Sequence, residues 1–199
     1  MAAWIAYEAI LNRAFAGRPV SILCGYDTRE QPEQLVDAMW QTHPHVVGDN
    51  DNDRYGGPAE IVRLHSPSTH LPLALRVLEG GHDPAALRGR LRHELEAGGV
   101  APSAASDLVL AAGEILANAD RHGGGVSHVR IGRVGDRFVC EIADRGPGID
   151  DPLAGYIPPG AGAGSGGGLW VARQLTRRLD LISSGSGLTA RLWVGVVSR

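Results

Sequence analysis

Seventeen of the 28 glycines in this 199-residue chain stand at or after Gly123. A residue without Cβ ends helices and opens tight turns, so this crowding cuts the second half of the chain into short elements. Ser103–His122 reads as a long helix stopped by Gly123-Gly124-Gly125. Val126–Val134 and Phe138–Ala143 alternate as strands around Gly135-Asp136, a hairpin signal. Asp144–Gly168 is a Gly/Pro-rich loop and Leu169–Arg178 a helix; Leu179–Ser183 and Leu188–Val196 are strands around a turn at Ser184–Gly187. Upstream, Leu71–Leu78 reads as a strand, and Pro84–Ala97 as a helix with Asp83 as N-cap and Gly98-Gly99 after it. The order predicts an α/β (α+β) two-layer sandwich: a mixed, largely antiparallel sheet with helices on one face.

The first part of the chain is different. Ala2 to Ala16 predicts an amphipathic helix ended by Gly17 and Pro19; Val20–Cys24 a short buried strand; Glu33–Trp40 a second helix behind Pro32. Such an α-β-α fragment is too small to hold a core alone. The polar run 48–58, ending in Gly56-Gly57-Pro58, reads as a linker, with a second weak break at Ser66-Pro67-Ser68. The expected organisation is a segment 1–50, a linker 51–70 and a main domain 71–199.

Composition excludes several chemistries. All 19 basic residues are arginine. A P-loop needs a lysine on the β/γ-phosphates, a eukaryotic-type protein kinase needs one on its third strand, and Schiff-base enzymes need one as covalent partner. The net charge of −3 gives no reason to expect direct nucleic-acid binding. Cys24 and Cys140 form no metal-type pair, no apolar run reaches the length of a membrane span, and Glu8 interrupts the apolar start, so the expectation is a reduced, cytoplasmic chain without a membrane partner.

The chemistry concentrates on the long helix. At about 100° per residue, Leu108, Ala112, Ile115 and Ala119 share a core stripe, and Glu114, Asn118 and His122 form a polar ridge beside it. An amide oxygen there suits a hard cation such as Mg²⁺, and a carboxylate can accept a proton. Alone, the ridge reads equally as a solvated helix face. Two glycine-rich loops add to it. Asp144-Arg145-Gly146-Pro147-Gly148-Ile149 follows a strand, where glycines let backbone approach a flat ligand and the carboxylate accepts from it. Gly166-Gly167-Gly168-Leu169 opens a helix, where free N–H groups and the positive dipole end suit phosphate.

These three stretches, in this order, resemble the N-box and the two glycine boxes of the GHKL ATPases. Within that family the pattern Glu114, then Asn118-Ala119, then His122-Gly123 looks most like the anti-sigma-factor serine kinases. The resemblance implies a Bergerat-type ATP-binding fold, with ATP and Mg²⁺ as cofactors. It implies Glu114 as general base toward a serine hydroxyl. Asn118 would hold Mg²⁺ between the phosphates, with His122 closing the N-box. Asp144 would accept from the adenine amino group beside Gly146 and Gly148, residues 150–167 would form an ATP lid, Gly166, Gly167, Gly168 and Leu169 would meet the phosphates, and Thr189 would close the adenine side. The implied partners are a sigma factor and an antagonist protein, with homodimerisation a family habit. Two alternatives stay open: a nucleotide-gated binding module without phosphotransfer, and a histidine-kinase ATPase domain acting in trans. In the first 50 residues, Trp4-x-x-Tyr7-Glu8, Asn12, Leu23-Cys24-x-Tyr26-Asp27-Thr28-Arg29 and Thr42-His43-Pro44-His45 resemble the C-terminal part of the MEDS sensory domain. A whole MEDS domain is longer, so the expectation is a truncated one.

Other patterns read as structural. Gly162-x-Gly164-x-x-Gly167 follows no strand and has no acidic residue at the spacing a dinucleotide site needs. Asp49, Asp51, Asp53 and Glu60 fall at EF-hand spacing, but Arg54 stands where glycine is required. His43-x-His45 lacks a third ligand at helix or strand spacing. His93-Glu94 lacks the rest of a phospho-acceptor box. Cys24 and Cys140 read as small buried hydrophobes, and Trp170 and Trp193 as packing aromatics.

Overall fold

The computed structural model describes residues 2–46, 50–64, 74–79, 84–159 and 167–196. It divides into two compact units, Met1–Pro67 with Asp151–Leu153, and Ser68–Asp150 with Ala154–Arg199.

In the first unit, α1 (Ala2–Ala14), α2 (Glu33–Thr42) and α3 (Pro58–Leu64) pack together, and β1 (His45–Val46) pairs antiparallel with β2 (Asn50–Asp51). Ile5 and Ala9 on α1 and Ile61 on α3 are fully buried. Two expectations fail here. Residues 20–24 form no strand, and Leu23 is 95% exposed. An apolar run becomes a strand only where another strand takes up its backbone groups, and none lies beside it among the described residues. The stretch expected as a linker from 51 to 70 contains α3 and the ordered residue Asn52. The Asn52 amide donates to the carbonyls of Trp40 (2.6 Å) and His43 (2.7 Å), which the end of α2 leaves without helical partners. Polar residues there serve as a helix cap, which composition alone cannot distinguish from a solvated linker.

In the second unit, the elements are β3 (Arg76–Val77), α4 (Pro84–Ala97), α5 (Pro102–His122), β4 (Val126–Val134), β5 (Arg137–Asp144), α6 (Gly168–Leu175), β6 (Arg178–Ser184) and β7 (Gly187–Gly195). The sheet order is β3-β4-β5-β7-β6, and every pairing is antiparallel. The expected two-layer architecture is present, although the expected mixture of strand directions reduces to antiparallel pairs alone. The expected strand from Leu71 shrinks to Arg76–Val77, its first three residues lying outside the described residues along with Asp83.

The core lies between the helices and one sheet face. Leu91 and Leu95 from α4 and Leu108, Ala112 and Ile115 from α5 meet Ile131, Cys140, Ile142, Ala190 and Leu192. Period-two alternation then places the charged residues of the strands on the other face. There Glu141, with 2% of its side chain exposed, accepts from Arg191 Nε at 2.8 Å and pairs with Arg130 at 2.9 Å. Asp180 takes Arg178 at 2.6 Å and the Trp193 indole at 2.9 Å. Opposite charges therefore face one another across neighbouring strands, as the register requires.

Two predictions follow from this packing. Glu141→Leu strands buried guanidinium charge and should lower the unfolding free energy by about 3–5 kcal/mol, read by urea denaturation. Burial, with the Glu141 charge adding, pushes the Cys140 thiol up to about 12. A thiol-alkylating reagent at about pH 8 should therefore leave Cys140 unmodified in the folded chain and modify it in denaturant, read by peptide mass spectrometry.

Candidate functional site

The chain from β5 to β6 runs through the lid segment and α6 before β7 inserts between β6 and β5. The end of β5, the start of β7, the middle of α5 and the start of α6 therefore converge. Between them is a small open cleft lined by Ile115, Asn118, Ala119, Ile142, Asp144, Leu169, Leu188 and Ala190. Six of these eight are apolar, so the walls suit a flat, weakly polar group, and Asn118 and Asp144 supply the polar contacts.

Asp144 organises the inner end. Its Oδ1 accepts from the backbone N–H of Gly146 (3.0 Å) and of Leu188 (2.9 Å). Its Oδ2 takes no hydrogen bond among the described residues and remains available as an acceptor. The surrounding glycines are required by proximity. A Cβ on Gly123 would stand 2.4 Å from Asp144 Oδ2, and one on Gly187 would stand 2.2 Å from the Asp144 carbonyl oxygen. A Cβ on Gly146 would stand 2.7 Å from the Gly123 Cα. The Arg145 N–H donates to the Gly123 carbonyl at 2.9 Å, tying the first glycine loop to the end of α5. Gly148 has φ +84° and packs on Ser183, whose hydroxyl donates to the Ile149 carbonyl and accepts from the Ile149 N–H, both at 2.8 Å.

The outer end is built by Gly168, the first residue of α6. A Cβ there would lie 2.8 Å from Glu114 Oε2 and 3.2 Å from Asn118 Nδ2. The helix start thus sits directly beside the carboxylate and amide of α5, and a side chain at this position would have to push both of them aside. Gly167 precedes it as N-cap with no side-chain cap, so the N–H groups of the first turn are open to an acceptor. ATP and Mg²⁺ fit this donor set: an apolar slot for the base with one carboxylate oxygen at its end, a helix N-terminus for phosphate, and a hard amide oxygen beside it.

The structure thus brings Asn118, Asp144 and Leu169 to one cleft, with Glu114 and Gly168 beside Asn118, while Gly146 supports Asp144 from behind and Gly148 packs on Ser183. Other expected residues do not join them. His122 is exposed and contributes its carbonyl, 3.1 Å from where a Gly146 Cβ would stand. Thr189 lies on the opposite sheet face from Leu188 and Ala190, because β7 alternates and those two line the cleft. Gly166 lies outside the described residues, as does 160–166 of the expected lid. Two contributors escaped the sequence reading: the Leu188 N–H, which extends the β5–β7 ladder onto the Asp144 side chain, and the Ser183 hydroxyl. Neither has a side-chain pattern; the Ser184–Gly187 turn was the only signal near them.

The model of the histidine kinase-like ATPase domain matches residues 82–193, and the chain belongs to that family. Membership implies ATP binding, generally with Mg²⁺. Residues 1–44 match the MEDS model, the methanogen/methylotroph DcmR sensory domain. No curated protein matches the chain. Among solved structures, the histidine kinase domain of the Erythrobacter litoralis EL346 blue-light activated histidine kinase is 15% identical, with 81% of this chain and 80% of that one covered and a TM-score of 0.41. Full-length ShkA in complex with AMPPNP is 14% identical with a TM-score of 0.42, and this chain spans 46% of its length.

The role of Gly168 is open to direct test. Gly168→Ala places a methyl group against Glu114 and Asn118, and should weaken ATP binding about tenfold or more in calorimetry while the far-ultraviolet circular dichroism stays unchanged.

Proposed function

We propose that this chain is an ATP-binding regulator that phosphorylates a serine of an antagonist protein, in a bacterial switch that also engages a sigma factor. The observation that carries the reading is the seating of Gly168 on Glu114 and Asn118. Read as a phosphate-binding element, that helix start lies beside a candidate base and a candidate cation ligand. Bound Mg²⁺ and ATP supply the phosphoryl group and the charge neutralisation around it. In this reading Glu114 accepts the proton of the incoming serine hydroxyl, Asn118 holds the metal ion, and Asp144 Oδ2 accepts from the adenine amino group. The catalytic contribution is position and electrostatics.

A second reading, an ATP-gated binding module without phosphotransfer, is favoured by one specific observation. No basic residue lies between Arg145 and Arg173. Arg173 itself is engaged elsewhere: its guanidinium stacks on the Tyr156 ring at 3.7 Å and donates to the carbonyls of Ala154 (3.2 Å) and Leu179 (3.0 Å). A γ-phosphate at this site would therefore rely on backbone N–H groups and Mg²⁺.

Phosphotransfer from labelled ATP to candidate antagonist proteins separates the two. Asn118→Ala should abolish ATP binding in both. Glu114→Ala should keep binding and remove transfer, by about 100-fold or more, under the kinase reading alone. Tight ATP binding with no labelled serine on any partner establishes the second reading and excludes the first.

A further inference from the structure

The first unit holds a cluster that the ATPase site does not use. Glu8 on α1, Cys24 in the irregular segment after it, and His43 at the end of α2 bring one ligand atom each within 4.8 Å of one another. Cys24 Sγ lies 3.9 Å and His43 Nε2 lies 3.8 Å from the same carboxylate oxygen, Glu8 Oε2. In a tetrahedral site with bonds of roughly 2.0–2.3 Å, neighbouring ligand atoms stand about 3.3–3.7 Å apart; the two edges to Glu8 need to close by a few tenths of an ångström, and the Cys24–His43 edge, which lies within 4.8 Å, by up to about an ångström.

The imidazole is oriented for coordination. His43 Nδ1 lies 2.7 Å from the Met39 carbonyl, an oxygen that can only accept. With the proton on Nδ1 donated to that carbonyl, beside the Thr42 hydroxyl at 3.0 Å, Nε2 is the ring nitrogen left to face Glu8 and to bind a cation. A backbone carbonyl that fixes the tautomer and leaves the other nitrogen as donor atom is the usual support behind a metal-bound histidine. The α2 end that presents this carbonyl is itself held by Asn52, which also donates to the His43 carbonyl. Tyr26 borders the cluster: its side chain interacts with both Glu8 and Cys24, and its ring packs edge-on against His43 at 5.6 Å and Trp4 at 6.0 Å.

We propose that Glu8, Cys24 and His43 form a site for a borderline-soft divalent cation, Zn²⁺ first among them, with one coordination position open beside Tyr26. Thiolate, imidazole and carboxylate together suit Zn²⁺, whereas Mg²⁺ and Ca²⁺ prefer oxygen alone. Binding displaces the Cys24 thiol proton to solvent, with no change of oxidation state. Three protein ligands leave a fourth position for water or an exogenous small molecule, as reactive zinc sites do and closed structural sites do not. The sequence pair His43-x-His45 does not act together. His45 instead pairs with Asp51 at 3.2 Å, and the partners of His43 come from elements 19 and 35 residues upstream.

The test uses the full chain without nucleotide. Titration with Co²⁺ should produce a near-ultraviolet thiolate-to-cobalt charge-transfer band, abolished by Cys24→Ser and displaced by equimolar Zn²⁺. Calorimetry with Zn²⁺ should show one site that His43→Gln, whose amide stands near the Nε2 position but is a much poorer ligand than imidazole, weakens about tenfold or more. Should that variant fail to fold, Glu8→Gln carries the same comparison. Absence of the cobalt band, its survival in Cys24→Ser, or wild-type Zn²⁺ affinity in the folded His43→Gln or Glu8→Gln variant overturns the proposal. Because Cys140 is fully buried in the sheet, a thiolate band in the native chain reports Cys24.

Discussion

The second unit depends on one carboxylate at the end of a strand. Asp144 closes β5, and its Oδ1 takes over where the β5–β7 ladder ends by accepting from the Leu188 N–H. The same oxygen holds the turn that follows through the Gly146 N–H. Three turns from different parts of the chain press against this group, and each brings a glycine: Gly123 from the end of α5, Gly146 from the loop, and Gly187 from the β6–β7 hairpin. A side chain at any of them would collide with the carboxylate or with a neighbouring turn. Three of the 17 late glycines are therefore the steric consequence of bringing backbone so close to one functional group. This approach leaves Asp144 Oδ2 without a hydrogen-bond partner among the described residues, at a cleft whose other walls are mostly apolar.

The long helix performs two tasks with one periodicity. Its apolar stripe meets the sheet, and its polar ridge carries Glu114 and Asn118 to the edge of that contact, where α6 begins. Because α5 is anchored along its length by buried residues such as Ala105, Leu108, Ala112 and Ile115, the ridge is held by the core rather than by a loop. The arginine-only composition fits this arrangement. The chain has no lysine to offer a phosphate, and the first arginine after residues 150–167, Arg173, is occupied in stacking on Tyr156.

The first unit shows a different relation between sequence and structure. Three short helices and a two-residue ladder give little repetitive pattern, and the apolar run at 20–24 misleads because no strand receives it. The residues with chemistry are dispersed: a glutamate on one helix, a cysteine in irregular chain, a histidine at another helix end. What unites them is the packing of α1 with α2 and the hydrogen bonds of Asn52 and His43 at the end of α2.

By sequence alone, the order of elements in the second unit, the antiparallel hairpins, the helical ridge and the two glycine boxes were all legible. Each is a local pattern: a 3.6-residue or two-residue period, or a glycine where a turn must form. The family followed from the order of three such patterns. Tertiary structure alone decided that Gly168 rests on Glu114 and Asn118, and that Leu188 rather than Thr189 faces the cleft. It alone decided that His43 meets Glu8 and Cys24 rather than His45. These outcomes depend on strand register and helix packing, which join residues far apart in the chain. A one-residue change of register turns a side chain to the other face of a sheet, and no local pattern records which face that will be.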